Sequence, residues 1–101
     1  MNQTPQTLNS QGIPPSQLSA LVALRNEDIK GVAMEIGEND RRLSETISRA
    51  RRNERVRVKL CLYLNMMYEA LWGGEPNWTA VAGNLRAEYE ARFGIEEAAV
   101  A

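Results

Sequence analysis

The chain has 101 residues and a formal net charge of −1, with 44% hydrophobic and 25% charged residues, a composition suited to one globular domain with its own core. With no histidine and one cysteine, these residues cannot build an internal disulfide, a zinc site or a Ser/His or Cys/His catalytic pair. No apolar run approaches the roughly 20 residues of a membrane span, and the first dozen residues lack the layout of a signal peptide. No Asp/Glu pair sits in an apolar setting that would separate two pKa values. The expectation is therefore a cytoplasmic, all-α, non-enzymatic protein with no cofactor, no metal, no small-molecule substrate and no membrane partner.

Residues 1–15 are rich in Gln, Asn, Ser, Thr and Pro and read as a flexible N-terminal arm ending at Pro14-Pro15. Ser16 is the cap candidate for a first helix over 17–25, with Leu18, Leu21 and Val22 on one side. Asn26 is the cap candidate for a second helix, whose start Glu27 and Asp28 would favour through the helix dipole. That helix should stop at Gly37. A third helix is expected over about 40–51, capped by Asn39, with Leu43, Ile47 and Ala50 facing inward.

Asn53 caps a fourth predicted helix reaching Trp72 and closed by Gly73-Gly74. Its inner face would be Val56, Leu60, Tyr63, Leu64, Met67 and Leu71, with Cys61 buried as a small hydrophobe. Val56, Val58, Leu60, Leu62 and Leu64 also alternate as a strand would, so helix and strand both stay open for 55–64. After Pro76, the residues Trp78, Val81, Ala82, Leu85, Tyr89 and Phe93 form a helical stripe ending at Gly94. The whole reads as a small domain of four to five helices. Residues 16–73 form the functional part, and 74–101 are a C-terminal helix and tail for dimerisation or core packing.

Charge is segregated along the chain. Residues 41–59 hold eight of the twelve basic side chains and only Glu45 and Glu54 as acids, so this segment carries +6 and the rest −7. Such a segment suits an anionic partner. Immediately before and within it, residues 29–48 satisfy a geometric demand. Two helices joined by a short turn cross steeply, so the first needs a small residue, here Ala33. The turn needs a residue that tolerates positive φ, here Gly37. Leu43 and Ile47 then pack the second helix inward, against Val32 and Ile36.

With these residues the segment resembles the phage repressor/Cro family of helix–turn–helix regulators, over about residues 18–70. The resemblance implies a transcription regulator that binds double-stranded DNA, with the helix over about 40–51 in the major groove. It turns Asn39, Asp40, Arg41, Arg42, Ser44, Glu45 and Ser48 toward DNA, with Arg41 the best match to the two acceptors of guanine. Arg49, Arg51, Arg52 and Arg55 then suit flanking phosphates. Trp72, Trp78, Leu85 and Tyr89 are the candidates for joining two copies into a homodimer. Glu38 departs from the family, which usually has an apolar residue there. A second class stays open: a small helical, phage-type protein that grips a host protein through its arginine-rich face.

Overall fold

The computed structural model describes residues 12–26 and 28–94. Among them are six α-helices and one 3-10 turn, and no strand. Of the arm expected over 1–15, residues 1–11 lie outside the described residues, as does the tail over 95–101; Ile13 and Pro15 do not belong to a flexible arm, since Ile13 is hydrogen-bonded to Leu71 and Pro15 begins a helix.

Helix α1 (Pro15–Arg25) starts one residue before the expected cap Ser16. Pro15 occupies the first helical position, where its missing N–H loses no bond, and Pro14 precedes it without a side-chain cap. Asn26 is not the cap of the second helix either. Its Oδ1 accepts from the Asp28 N–H at 3.0 Å and shapes the turn, while Asp28 itself caps α2 (Ile29–Ile36) by accepting from the Lys30 N–H. Val32 and Ala33 are the buried face of α2.

Gly37 ends α2 in the left-handed region at φ 71°, as expected. The Glu38 N–H then reaches back to the Ala33 carbonyl at 2.8 Å, the closure a left-handed exit allows. Two residues later α3 begins, and it covers only Asp40–Ile47. The expected extension to 51 fails because Arg49 takes φ 70°, which turns the chain out of the helix. Ala50, expected inside, is exposed in the resulting loop.

Helix α4 (Glu54–Leu64) is capped by Asn53, whose Oδ1 accepts from the Val56 N–H. It is the central element and packs against α2, α3 and everything that follows it. This position resolves the helix-or-strand ambiguity. At about 100° per residue, Val56, Leu60 and Leu64 form one stripe, while Glu54, Val58 and Cys61 form another roughly opposite. All six are buried. A helix covered on two sides therefore shows the alternation of a strand in its sequence.

The predicted long helix to Trp72 breaks at Asn65, which adopts φ 59°, a conformation asparagine tolerates better than most residues. Met66 and Met67 bridge to α5 (Tyr68–Trp72), and Met67, expected inside, is 46% exposed. Gly73 ends α5 at φ 84°. Trp78–Ala80 forms the 3-10 turn, capped by Asn77, and Val81 in extended conformation separates it from α6 (Gly83–Phe93), which ends at Gly94. The expected continuous stripe from Trp78 to Phe93 is thus two pieces.

These later elements close the core of a single chain. Leu85 and Tyr89 are buried with Leu60, Tyr68 and Leu71 in one apolar cluster. The Tyr89 hydroxyl accepts from the Tyr68 N–H at 2.8 Å, so α6 anchors the first turn of α5. Trp72 is buried too, its indole N–H donating to the Arg57 carbonyl. Of the four side chains expected at a dimer interface, Trp72, Leu85 and Tyr89 leave little surface for a second copy. Trp78 is half-buried, its ring tilted on Tyr89 at 5.3 Å. These side chains pack against others of the same chain.

The end of the N-terminal segment is docked. The Ile13 N–H donates to the Leu71 carbonyl, and the Ile13 carbonyl accepts from the Arg49 guanidinium at 2.7 Å. A Cβ on Gly12 would fall 2.5 Å from the Leu71 carbonyl oxygen, so glycine alone fits there. Among the described residues, no helix is long and apolar enough to cross a membrane.

Gly37 gives a direct test of the turn. An added Cβ there meets only Lys59 Nζ, at 3.8 Å, so the cost of substitution is the left-handed backbone itself. Gly37→Ala is expected to lower unfolding stability by about 1–2 kcal/mol, and Gly37→Asn by clearly less. Denaturant titration of the three proteins measures this.

Candidate nucleic-acid interface

The interface is built outward from the turn Gly37-Glu38-Asn39. Asn39 Oδ1 accepts from the N–H groups of Arg41 at 2.7 Å and Arg42 at 3.2 Å, which organises the first turn of α3. Leu43, Thr46 and Ile47 are buried. The Thr46 hydroxyl satisfies itself on the Arg42 carbonyl at 2.7 Å, a back-bond that lets a polar residue sit in the core. With that face inward, Arg41, Arg42, Ser44 and Ser48 are exposed, and Asp40 and Glu45 half-buried.

After Ile47 the loop 48–53 folds back over α3. The Glu45 carbonyl accepts from the Ser48 hydroxyl at 3.2 Å and from the Arg51 N–H at 3.3 Å. Between α3 and this loop lies an open groove of about 470 Å³, lined by Asn39, Arg41, Arg42, Glu45, Thr46, Arg51, Arg52 and Asn53. The structure thus brings together six of the eleven residues expected at DNA: Asn39, Arg41, Arg42, Glu45, Arg51 and Arg52. Ser44 and Ser48 are on the exposed surface of the same short segment.

The basic residues divide into two groups. Arg41, 84% exposed, and Arg51, 76% exposed, face solvent while flanking the Glu45 carboxylate at 3.4 and 3.6 Å. Arg42 is exposed beside them, and among the described residues it forms no ion pair. The others are committed to the protein. Arg49 rests its guanidinium 4.8 Å from the Trp72 ring centroid, while it holds the Ile13 carbonyl. Arg52 grips the buried Glu54 carboxylate through two bonds, at 3.2 and 2.9 Å. Arg57 donates to the Tyr68 hydroxyl and lies 4.8 Å from the same Trp72 ring. Arg55 donates to both oxygens of Glu38, at 2.6 and 3.0 Å, and Lys59 to one of them at 2.8 Å.

The sequence did not reveal two polar clusters. In the first, Glu54 receives Arg52, the Tyr68 hydroxyl and the Asn77 N–H. It thereby ties the start of α4 to α5 and to the strand-like segment before the 3-10 turn. In the second, the Glu38 side chain is 4% exposed and bridges the turn to one face of α4. The signal for this cluster is present: Arg55 and Lys59 stand four apart, one turn of helix, and the turn ahead of them carries a lone acid. The guanidinium of Arg55 holds the Glu38 carboxyl well below its ordinary 4.5, at about 2, against the opposing cost of burial and with Lys59 adding to the pull. Burial pushes the Cys61 thiol up to about 12, so it stays a protonated core residue.

No protein-family model, curated protein or solved structure matches this chain.

The Glu38 cluster has a pH signature. A carboxyl whose pKa is lowered on folding stabilises the fold fully above its unfolded value, and this stabilisation is lost as pH falls through the folded value. For Glu38 the window runs from 4.5 down to about 2, corresponding to about 3 kcal/mol. Glu38→Gln is expected to be less stable at neutral pH by about that amount and to lose a matching part of the acid sensitivity between those limits. Urea titrations across that range measure both effects.

Proposed function

We propose that the chain is a sequence-specific DNA-binding regulator of transcription, of the repressor type suggested by its resemblance to the phage repressor/Cro family, working in the cytoplasm. The observation that carries this reading is the pairing of a glycine-closed turn with a capped α3. The outer face of that helix presents Arg41, Arg42, Ser44 and Ser48 to solvent beside an arginine-lined groove.

In this reading α3 enters the major groove by its N-terminal turn. Arg41, on that turn, offers a planar fork to the O6 and N7 acceptors of guanine, while Arg42 and Arg51 meet phosphates on either side. Asn39 acts through the helix it caps. Arg49, Arg52 and Arg55 are positioning residues: their charges hold the loop, α4 and the turn in place, and the phosphate contacts fall to fewer arginines than the +6 segment contains. Non-specific affinity is accordingly low.

Selection of bound duplexes from a random pool tests the reading, and recovery of one preferred short site is the expected result. An inverted repeat would report two copies on DNA, which must then meet through surfaces other than the buried Trp72, Leu85 and Tyr89. Arg41→Ala is expected to relax preference at one base pair, at a cost of about 1–3 kcal/mol to the preferred site. Arg51→Ala should weaken all sequences alike and lower the salt slope by about one. A pool that returns no enriched sequence, together with an acidic protein captured by the same arginine face, would replace DNA with a protein partner.

A further inference from the structure

The groove between α3 and the loop 48–53 holds its own counterion. Glu45 stands one helical turn after Arg41, and its carboxylate reaches guanidiniums from two different elements: Arg41 on α3 and Arg51 on the loop. Both contacts are long and single, at 3.4 and 3.6 Å, on arginines that remain mostly exposed. The committed pairs of this protein look different: Arg55 on Glu38 and Arg52 on Glu54 are two-pronged and reach 2.6 and 2.9 Å on carboxylates almost fully buried.

The loop geometry keeps the loose arrangement in register. The same Glu45 that faces Arg51 through its carboxylate also holds the Arg51 N–H and the Ser48 hydroxyl on its carbonyl. Arg51 is thus tethered beside α3 at its backbone, while its guanidinium stays in solvent. Arg42 and Arg52 complete the basic wall, and Asn39 and Asn53 lie at the starts of α3 and α4 where these line the same groove.

We propose that this groove is a seat for a phosphate group, and that the Glu45 carboxylate fills it electrostatically in the free protein until phosphate oxygens displace it. A guanidinium fork satisfies two phosphate oxygens as well as two carboxylate oxygens. A partly exposed carboxylate also rehydrates at little cost once it is displaced. The exchange swaps one anion for another, so wild-type protein releases fewer solution counterions than its groove arginines would suggest. Glu45 thereby holds down affinity for any phosphate chain. The seat itself is argued from the groove; that its phosphate comes from a DNA backbone rests on the regulator reading above.

The test compares full-length wild type with Glu45→Gln, which keeps the volume and helical preference of the side chain. Each is titrated with sodium tripolyphosphate and, separately, with a random-sequence duplex. Glu45→Gln is expected to bind both about tenfold more tightly, with a salt slope on duplex steeper by about one. Adding Arg51→Gln to it should return affinity toward wild type. Glu88→Gln, an equal change of net charge on the exposed surface of α6, should change neither. Equal tripolyphosphate affinity in wild type and Glu45→Gln would overturn the seat, as would an equal gain in Glu88→Gln, because net charge alone would then explain it. A gain on duplex without one on tripolyphosphate overturns the seat and leaves the DNA reading standing. A gain on tripolyphosphate, with no duplex binding by either protein, supports the seat and removes DNA as the source of its phosphate.

Discussion

A carboxylate buried in a three-residue turn is the constraint around which α2, α3 and α4 are arranged. Glu38 sits where the chain passes from α2 to α3, with almost no access to solvent, and a charge so placed must be neutralised by partners of good geometry. Those partners come from α4: Arg55 with two bonds and Lys59 with one. The turn is thereby pinned to the central helix, and α3, which starts two residues later, inherits its position from that contact. An apolar residue at 38 would avoid the cost of desolvating a charge. It would also leave Arg55 and Lys59, one turn apart on the same face, repelling each other.

The same arrangement changes the meaning of the basic segment. Counted along the chain, residues 41–59 look like a single cationic surface. In space, five of those charges are directed into the protein: onto Glu38, onto Glu54 and Tyr68, and against the Trp72 ring. What faces solvent without a buried carboxylate or ring as partner is a smaller group, Arg41, Arg42 and Arg51, moderated by Glu45. Attraction to a polyanion falls off within a Debye length of about 8–10 Å in physiological salt, so the arrangement of these few side chains matters more than the segment's sum. On the regulator reading proposed above, an overall charge near zero would favour discrimination among sequences over tight non-specific binding.

Much of the helix–turn–helix was legible because its signals are local. Gly37 declares a left-handed exit, Asn39 and Asn53 declare caps, and Leu43 and Ile47 declare an inward face; each acts within a turn of its own position. The failures came where a distant contact decided the outcome. Nothing near Arg49 in sequence announces a positive φ; it is held there by Ile13 and Trp72, both more than twenty residues away. Asn65 breaks the long helix because α5 has its own anchor in the Tyr89 hydroxyl. Within α6 the stripe of Leu85, Tyr89 and Phe93 keeps its helical period, but periodicity identifies an apolar face without saying whether its partner lies in the same chain. The α4 alternation left helix and strand both open for the same reason: period two along a sequence reports burial on two sides, which a central helix supplies as well as a strand does.

Trp72 shows why the candidate interface cannot be separated from the C-terminal half. Its ring has the Arg49 and Arg57 guanidiniums each 4.8 Å from its centroid, and its N–H is spent on the Arg57 carbonyl. Arg49 belongs to the loop that walls the groove, and Arg57 belongs to α4, so one aromatic side chain positions both. Beyond it, Tyr68 links Arg52, Glu54 and Arg57 by its hydroxyl and α6 by its N–H. Loop 48–53 contains few apolar residues and has no helix of its own to order it. Its shape is therefore set by cations resting on an aromatic and on buried carboxylates, all supplied by α4 and α5. A chain ending at residue 73 would keep Trp72 but lose the Asn77 N–H on Glu54 and the Tyr89 hydroxyl beneath Tyr68. The groove arginines would then stand on a network with two of its supports removed.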